Sequence, residues 1–340
     1  MDDYQDLIRI SIASAGNDHR LGASEAPPAI VSVFLGNELT EILENIANDE
    51  ETVKRGRTPF RVNINTIPAF PKDNTDRNRT SPFAFTGNKF EFRMPGSSAS
   101  VATPNTILNT VIAEELKIFA DELEGAEEKN EAIHELIKKT VKEHGRIIFN
   151  GNGYDASWVE EAARRGLSNY PSTPDALAHY LDPENIRVFT VNGILSEKEL
   201  RSRYEIYLEK YWKTINIEAR TMADMLKKDI LPASLSFERK LLKTALEEKE
   251  LDLYDPKSYT ATVLKEVREL ADSLSKRVSE LEEKLSQRKE EDSLKTAYFY
   301  RNEILLRMTE LREETDRLEL ICERDLWPMP TYRELLFGVD

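Results

Sequence analysis

The sequence contains very little cysteine and no long apolar run. Its 340 residues include one cysteine, Cys322, so an intramolecular disulfide or a zinc site with several cysteine ligands cannot form. The longest mainly apolar run, APPAIVSVFLG, contains two prolines and is far shorter than the about 20 residues that a membrane helix needs. The N-terminal MDDYQDLIRI is acidic and lacks the apolar core of a secretory signal. We therefore expect a cytoplasmic protein that does not bind a membrane.

Positive charge and short catalytic signatures are also lacking. The chain has 47 Lys and Arg residues against 62 Asp and Glu residues, which gives a formal net charge of -15. This balance disfavours non-specific binding to nucleic acid, and we expect no nucleic-acid partner. The sequence has no Gly-rich P-loop, dinucleotide fingerprint, CxxC or HExxH. Short motifs alone therefore name no reaction.

The composition changes along the chain, which at 340 residues is long enough for two domains. Residues 1 to about 120 carry short apolar runs between Asn, Pro, Gly and Thr residues, a pattern typical of strands and loops. From Ile107 onward apolar residues recur at helical spacing, with Pro104 suited to a first turn and Gly145 suited to end a following helix. The sequence predicts an α+β fold with domains at residues 1–232 and 233–340.

The last third of the chain is rich in Leu, Glu, Lys and Arg. Apolar residues recur there every three or four positions, as in packed helices. The first series is Val267, Leu270, Leu274, Val278, Leu281 and Leu285, and the second is Ile304, Leu305, Met308, Leu311, Leu318 and Ile321. Because the polar stretch SQRKEEDSLK separates the two series, we predict an antiparallel helical hairpin with a role in assembly. A partner-binding coiled coil is the alternative.

The segment SAGNDHRLGASEAPPA, residues 14 to 29, predicts a shaped loop. Gly22, Pro27 and Pro28 prevent a long helix, and binding groups concentrate on loops held by a rigid scaffold. The loop offers the guanidinium of Arg20 and, five residues later, the carboxylate of Glu25. Taken alone, a structural role for each of these residues is equally compatible with the sequence.

The segment DRNRTSPFAFTGNKFEFRMP, residues 76 to 95, predicts a short β-hairpin around TGN. Strand periodicity places Lys89, Glu91 and Arg93 on one face, with Phe90 and Phe92 packed on the other. A solvated, salt-bridged strand surface would have the same pattern. The functional interpretation is a phosphate site, in which arginine binds phosphate oxygens and glutamate holds a divalent ion beside them.

At these residues the chain resembles a known family. NDHRLGASEAPPA followed by DRNRTSPFAFTGNKFEFRMP is similar to the second half of the catalytic domain of glutamine synthetase, specifically the long type III enzymes. The segment FNGNGYDASWVEEAARRGLSNYPSTPDAL and the helical tail also resemble type III sequences. The resemblance implies part of a catalytic domain, an antiparallel sheet with helices, over residues 1–232. A helical C-terminal domain would follow over residues 233–340.

The resemblance also implies an activity and a set of site residues. The reaction would join ammonium to the side-chain carboxylate of glutamate with ATP, through a γ-glutamyl phosphate and with the help of Mg²⁺ or Mn²⁺. Glu25 resembles the flap glutamate that helps to deprotonate ammonium. Arg20 and Arg93 resemble substrate-binding arginines, and Arg93 also contacts phosphate. Glu91 resembles a metal ligand.

The resemblance implies two further cations in the site, whereas an arginine that the shorter types carry is absent from this sequence. Arg79 would contact the transferred phosphoryl group, and Lys89 stands where better-known types carry a nucleotide-binding arginine. A second arginine of the shorter types is replaced here by Ala84.

The family's other metal glutamates, its Gly-rich segment and its N-terminal β-domain would precede the first residue of this chain. We therefore expect the C-terminal part of a split or truncated enzyme, inactive alone, whose complete form is a large ring-shaped homo-oligomer. The alternatives are a non-catalytic assembly or binding protein derived from the family, and another ATP-dependent carboxylate-amine ligase.

Overall fold

The computed structural model describes residues 1–23, 26–50, 59–60, 70–71, 81–287, 292–330 and 332–338. The chain forms two compact units, Met1–Tyr207 and Leu208–Asp340. Within the described residues, no helix combines the length and the apolar character needed to cross a membrane.

The first unit is mainly helical, with short strands between its first helices. Its helices are α1 (Gln5–Ile10), α2 (Ala15–Asp18), α3 (Asn37–Asn48), α4 (Ala102–Leu123), α5 (Lys129–His144), α6 (Ala156–Arg164), α7 (Thr173–Leu177) and α8 (Pro183–Val191). Its strands are β1 (Val33–Phe34), β2 (Pro59–Phe60), β3 (Phe70–Pro71), β4 (Phe83–Phe85) and β5 (Phe90–Phe92). Pro104 lies in the first turn of α4 and Gly145 directly follows α5, so both helix predictions are confirmed.

The predicted hairpin around TGN is present. Strands β4 and β5 pair antiparallel, and the Thr86 N–H donates to the carbonyl oxygen of Lys89 at 2.9 Å. Gly87 adopts a φ of 95°, a conformation that glycine reaches without steric cost. Strand β1 lies on the other side of β4 and runs parallel to it, so β5 is an edge strand among the described residues. The α+β class is therefore confirmed, but the expected antiparallel sheet is a mixed sheet, because a long connection joins β1 to β4.

Buried apolar residues of several helices form the core of the first unit. Helix α1 packs against α4 and α7 and buries Leu7 and Ile8 completely. Trp158 of α6 is also buried, with its ring stacked on Phe149 at 3.7 Å between centroids. Because α1 is buried on nearly every side, its one basic residue, Arg9, is buried with it.

The second unit is a bundle of long helices. Its elements are the C-terminal part of α9 (Glu197–Met225), a π-helical turn (Leu226–Ile230), α10 (Leu231–Glu250), α11 (Tyr259–Ser286), α12 (Ser293–Phe299), a second π-helical turn (Tyr300–Ile304), α13 (Leu305–Ile321) and α14 (Tyr332–Phe337). All six residues of the first predicted apolar series, on α11, are buried. Of the second series, Ile304, Leu311 and Leu318 are buried.

Side-chain pairs between the helices show how the bundle is arranged. In the pairs that join α10 and the preceding turn to α11, the residue numbers on the first side fall as those on α11 rise. These pairs are Glu248–Thr260, Glu238–Arg268 and Lys227–Glu282. The same holds for α11 against the last helices, in the pairs Glu266–Arg317, Arg277–Glu314 and Lys284–Glu303. Helix α11 therefore runs antiparallel to both neighbours.

The predicted break is also present, since α11 ends at Ser286 and α12 begins at Ser293. The hairpin prediction is thus confirmed, with α10 as a third helix. The predicted domain division after residue 232 stays a prediction. The compact units divide between residues 207 and 208, and one helical path, residues 197–250, runs through both positions.

Candidate functional site

The charged face of the hairpin carries three of the predicted site residues side by side. Glu91 Oε2 accepts hydrogen bonds from Arg93 at 3.2 Å and 3.0 Å, and Glu91 Oε1 lies 3.4 Å from Lys89 Nζ. The Arg93 side chain is 15% exposed and that of Lys89 is 67% exposed, so the arginine is the fixed cation and the lysine the adaptable one. The hydrogen bond from Arg93 lowers the pKa of Glu91, with a further contribution from Lys89. Glu91 is therefore held as a carboxylate.

The strand register explains what surrounds Glu91. Ala84 lies directly opposite Glu91 on β4 and shares its face. The methyl group of Ala84 is completely buried, so this position contributes no cation beside Glu91. The charge of the hairpin face comes from Lys89, Glu91 and Arg93.

The aromatic residues of β5 differ from the prediction. Phe90 is 49% exposed, so the expectation that it packs into the sheet is wrong, whereas Phe92 is half-buried. The Phe90 ring contacts Phe83 and Phe85 at centroid distances of 5.4 Å and 5.2 Å. Among the described residues β5 lies at the edge of the sheet, and the rings that contact Phe90 both come from β4.

Arg20 lies beside the end of β5. Its NH1 donates to the carbonyl oxygen of Met94 at 2.8 Å, and its NH2 donates to that of Arg93 at 3.0 Å. Asn17, one turn earlier, donates to the same Met94 carbonyl at 3.1 Å and to Ile12 at 3.0 Å. The structure thus joins Arg20 to the strand of Glu91 and Arg93 through main-chain atoms. The predicted contact of Arg20 with a substrate stays a prediction.

The loop that follows Arg20 is closed at its base. The Gly22 N–H donates to the carbonyl oxygen of Pro27 at 3.0 Å, and Gly22 has a φ of 75°. Ser24 and Glu25 lie outside the described residues, as do Arg77 and Arg79. The roles predicted for Glu25 and Arg79 therefore stay predictions.

A buried ion pair supports the segment before the loop. Asp18 accepts from the N–H and the hydroxyl of Thr173 at 2.7 Å and 2.8 Å, and it lies 3.7 Å from Arg9 NH2. Arg9 is 1% exposed and donates from Nε to the carbonyl oxygen of Tyr170 at 2.8 Å. Burial raises the pKa of Asp18, although the hydrogen bonds from Thr173 and the charge of Arg9 act in the opposite direction. Burial lowers the pKa of Arg9.

Sequence reasoning assigned no role to this pair. One signal was available, because the run LIRIS places a single charge among large apolar residues. Nothing local in the sequence indicates that the partner of Arg9 is Asp18, or that Thr173 completes the cluster.

Among the described residues, the charged face of the hairpin offers few potential metal ligands. Glu91 offers one carboxylate, and Lys89 would have to move for Oε1 to bind an ion. The described groups of three or more potential ligands are Asp2, Asp3 and His144, and Asp49, His134 and Glu135, and neither group contains Glu91. Mg²⁺ prefers six oxygen ligands. Glu91 therefore fits a divalent ion as one ligand among others that come from elsewhere.

Comparison with known proteins is consistent with this geometry. The family described as the glutamine synthetase C-terminal domain matches residues 132–249. Type-3 glutamine synthetase of Dictyostelium discoideum is 40% identical over 348 residues, covering 99% of this chain and 47% of the relative. Glutamine synthetase of Butyrivibrio fibrisolvens is 39% identical over 356 residues, covering 100% of this chain and 49% of the relative.

A third relative, glutamine synthetase of Bacteroides fragilis (strain YCH46), is 39% identical over 346 residues, covering 98% of this chain and 47% of the relative. The chain thus spans about half the length of the curated relatives that it matches. The chain is thus similar along nearly its whole length to about half of these glutamine synthetases, and its residues 132–249 match the family of the glutamine synthetase C-terminal domain.

Proposed function

We propose that this chain provides part of the active site of a type III glutamine synthetase, which ligates ammonium to glutamate with ATP through a γ-glutamyl phosphate. The observation that carries the proposal is the arrangement of Lys89, Glu91 and Arg93 on one hairpin face. A solvated strand could show the same charges, but similarity to the relatives extends over 98–100% of the chain.

The charges of the hairpin suit phosphoryl transfer. Negative charge spreads over the equatorial oxygens of the transferred group, and fixed cations stabilise it more strongly than they stabilise the ground state. Arg93 is the better placed of the two cations, because its guanidinium is largely buried and oriented by Glu91. Lys89 is exposed enough to follow a nucleotide phosphate.

Glu91 is the proposed metal ligand of this chain. A divalent ion, Mg²⁺ or Mn²⁺, would neutralise phosphate charge beside the cations. The lowered pKa of Glu91 keeps its carboxylate ready for such an ion, without a proton to displace.

The remaining roles follow from the family resemblance. Glu25 would remove a proton from ammonium and help to shield the acyl phosphate from water. Arg79 would contact the phosphoryl group and Arg20 the glutamate substrate. Residues 1–232 would belong to the catalytic domain and 233–340 to a helical domain that serves assembly into a large ring-shaped homo-oligomer in the cytoplasm.

A second candidate function is assembly or binding without catalysis. Glu91 is the one carboxylate of this chain that we propose as a metal ligand. A chain with a single such ligand could retain the fold of the family without catalysing the ligation. A different ATP-dependent carboxylate-amine ligase would use the same cations with another acceptor. These candidates differ in the products formed, so one set of assays separates them.

The test is a γ-glutamyl transferase assay, together with an assay of glutamine formed from glutamate, ammonium and ATP, of the chain with and without the N-terminal half of a type-3 relative. We expect little activity from the chain alone and glutamine formation from the combination. Glu91→Ala should weaken Mg²⁺ and nucleotide binding. Glu25→Ala should leave nucleotide binding intact and lower the rate of amide formation by about 10²–10⁴-fold, as for loss of a general base.

Glu161→Ala is the matched control. The Glu161 side chain is 33% exposed, against 38% for Glu91, and like Glu91 it pairs with an arginine, Arg165. It should behave as the unaltered chain does. Full activity of the purified chain alone would contradict the proposal that the chain provides only part of the active site. Unchanged metal dependence in Glu91→Ala would contradict the role of Glu91.

A further inference from the structure

The carbonyl oxygens of Arg93 and Met94 emerge just beyond the end of β5. At this point the strand no longer pairs through a regular ladder, although the Arg93 N–H still donates to Pro82 at 2.8 Å. Main-chain oxygens that leave a sheet inside a protein need other donors. Here the donors are side chains from the segment between α1 and the 22–27 loop.

Two side chains from that segment supply the donors. Arg20 binds the two consecutive carbonyls with two nitrogens of one guanidinium, and Asn17 adds a second donor to the carbonyl of Met94. Asn17 is 3% exposed, and its amide also binds the carbonyl of Ile12. The planar guanidinium fixes direction as well as distance, because its donors form a rigid fork.

We propose that Arg20 and Asn17 are positioning residues that hold the base of the 22–27 loop against the strand of Glu91 and Arg93. The base consists of the described residues Gly22, Ala23, Ala26 and Pro27. The Gly22 N–H binds Pro27, and the Ala23 N–H binds the carbonyl of Arg20 itself. These hydrogen bonds connect the strand, through Arg20, to both ends of the loop. We call this set of hydrogen bonds, from Arg20 and Asn17 to the carbonyls of Arg93 and Met94, the tie.

This role differs from a direct contact between Arg20 and the substrate. A guanidinium that contacts only substrate carries charge to the ligand, and its loss leaves the unliganded protein unchanged. A guanidinium that binds two carbonyls restrains the unliganded protein. Its loss releases the Arg20 segment from Arg93 and Met94, which lie 73 and 74 residues further along the chain. The tie itself is independent of the proposed function, whereas its consequence for amide formation rests on that function.

Amide hydrogen exchange of the 340-residue chain tests the tie directly. In Arg20→Gln we expect exchange to accelerate about tenfold or more at Gly22 and Ala26, and also at Arg93 across the tie. Asn17→Asp replaces the donor with an acceptor of the same shape and should accelerate exchange at the same amides. Arg20→Lys keeps the charge without the planar fork and should restore part of the protection.

Arg165→Gln is the matched control, because Arg165 also donates to two main-chain carbonyls, Ile148 at 2.8 Å and Arg146 at 3.3 Å. It should leave exchange at Gly22 and Arg93 unchanged. If Arg20→Gln leaves both amides at wild-type rates, or accelerates exchange evenly throughout the first unit, the positioning role is wrong. If Arg20→Gln does not fold, Arg20→Lys is compared with the unaltered chain instead. Wild-type exchange rates at Gly22 and Arg93 in Arg20→Lys would then contradict the positioning role.

An activity measurement separates this inference from the proposed function. With the N-terminal half of a relative present, Arg20→Lys should lower the turnover number for glutamine, with little change in the KM for ATP. A rise in the KM for glutamate, with unaltered exchange at Gly22, would assign Arg20 to the substrate alone. Absence of glutamine formation in every variant would count against the proposed function and leave the exchange result standing.

Discussion

Charged side chains are held differently in the two compact units. In the second unit, pairs such as Arg317–Glu266 join the outer surfaces of neighbouring helices around an apolar interior. In the first unit Arg9 is itself buried, and its main-chain partner Tyr170 lies 161 residues further along the chain. Burial of a charge is costly unless a partner is in place, so the buried Arg9 depends on partners that the fold brings from distant parts of the chain.

The largest effect should come from breaking the buried pair. Arg9→Met would leave Asp18 buried without its cation, and we expect the free energy of unfolding of the first unit to fall by about 3–5 kcal/mol. Arg277→Met, which removes a half-exposed cation from Glu310 and Glu314 in the bundle, should cost about 0–1 kcal/mol. Urea unfolding followed by hydrogen exchange measures each unit separately. Equal costs for the two variants would remove the contrast between the units.

The apolar interior of the bundle should give the next largest effect. Leu274 of α11 is completely buried, and Leu274→Ala should destabilise the bundle by about 2–5 kcal/mol through lost burial and a cavity. Leu320, which is 85% exposed on α13, is the matched control, and its replacement by alanine should change stability by less than about 0.5 kcal/mol. Thermal unfolding of the two variants provides the measurement. Similar losses for both would mean that helix packing does not organise the second unit.

The pH dependence of stability should distinguish a second polar cluster of the first unit. Hydrogen bonds from Arg187 and Asn192 lower the pKa of the buried Glu114. Since the folded-state pKa lies below the unfolded one, the stabilisation is complete above the ordinary value of 4.5 and is lost as the pH falls through the folded-state pKa. Arg187→Met should lower stability at neutral pH by about 1–3 kcal/mol and flatten this acid dependence.

Arg201→Met is the control for that experiment, because Arg201 pairs with Glu197 at an exposed position on α9. Its stability should follow pH as that of the unaltered chain does. Unfolding midpoints measured across the acid range check the prediction. An unchanged acid dependence in Arg187→Met would contradict the role of Glu114.

The smallest effect is expected at the edge of the sheet. Phe90 is half-exposed and contacts Phe83 and Phe85, so Phe90→Ala should cost less than the same change at a fully buried phenylalanine. Phe189, which is 1% exposed in the first unit, should cost about 3–5 kcal/mol when replaced by alanine. Unfolding of the two variants in urea compares them, and a large loss for Phe90 would show that the edge of the sheet is part of the core.

Sequence patterns predicted the bundle more completely than the candidate site. The apolar series of α11 and the break after Ser286 follow from periodicity, because neighbouring turns of a helix determine which side chains share a face. The hairpin and the shared face of Lys89, Glu91 and Arg93 follow from strand alternation for the same reason. Phe90 was misjudged, because alternation gives the face of a side chain but not whether another strand covers it.

The sequence by itself determined the local elements of this protein: the helix of α11, the turn at Gly87, and the charges that share the hairpin face. Only the tertiary structure decided that Arg20 binds the carbonyls of Arg93 and Met94, and that Asp18 meets Arg9 and Thr173. The physical reason is range. Periodicity and turn preferences act within a few residues, whereas a buried polar group is satisfied by whichever donor or acceptor the fold brings beside it.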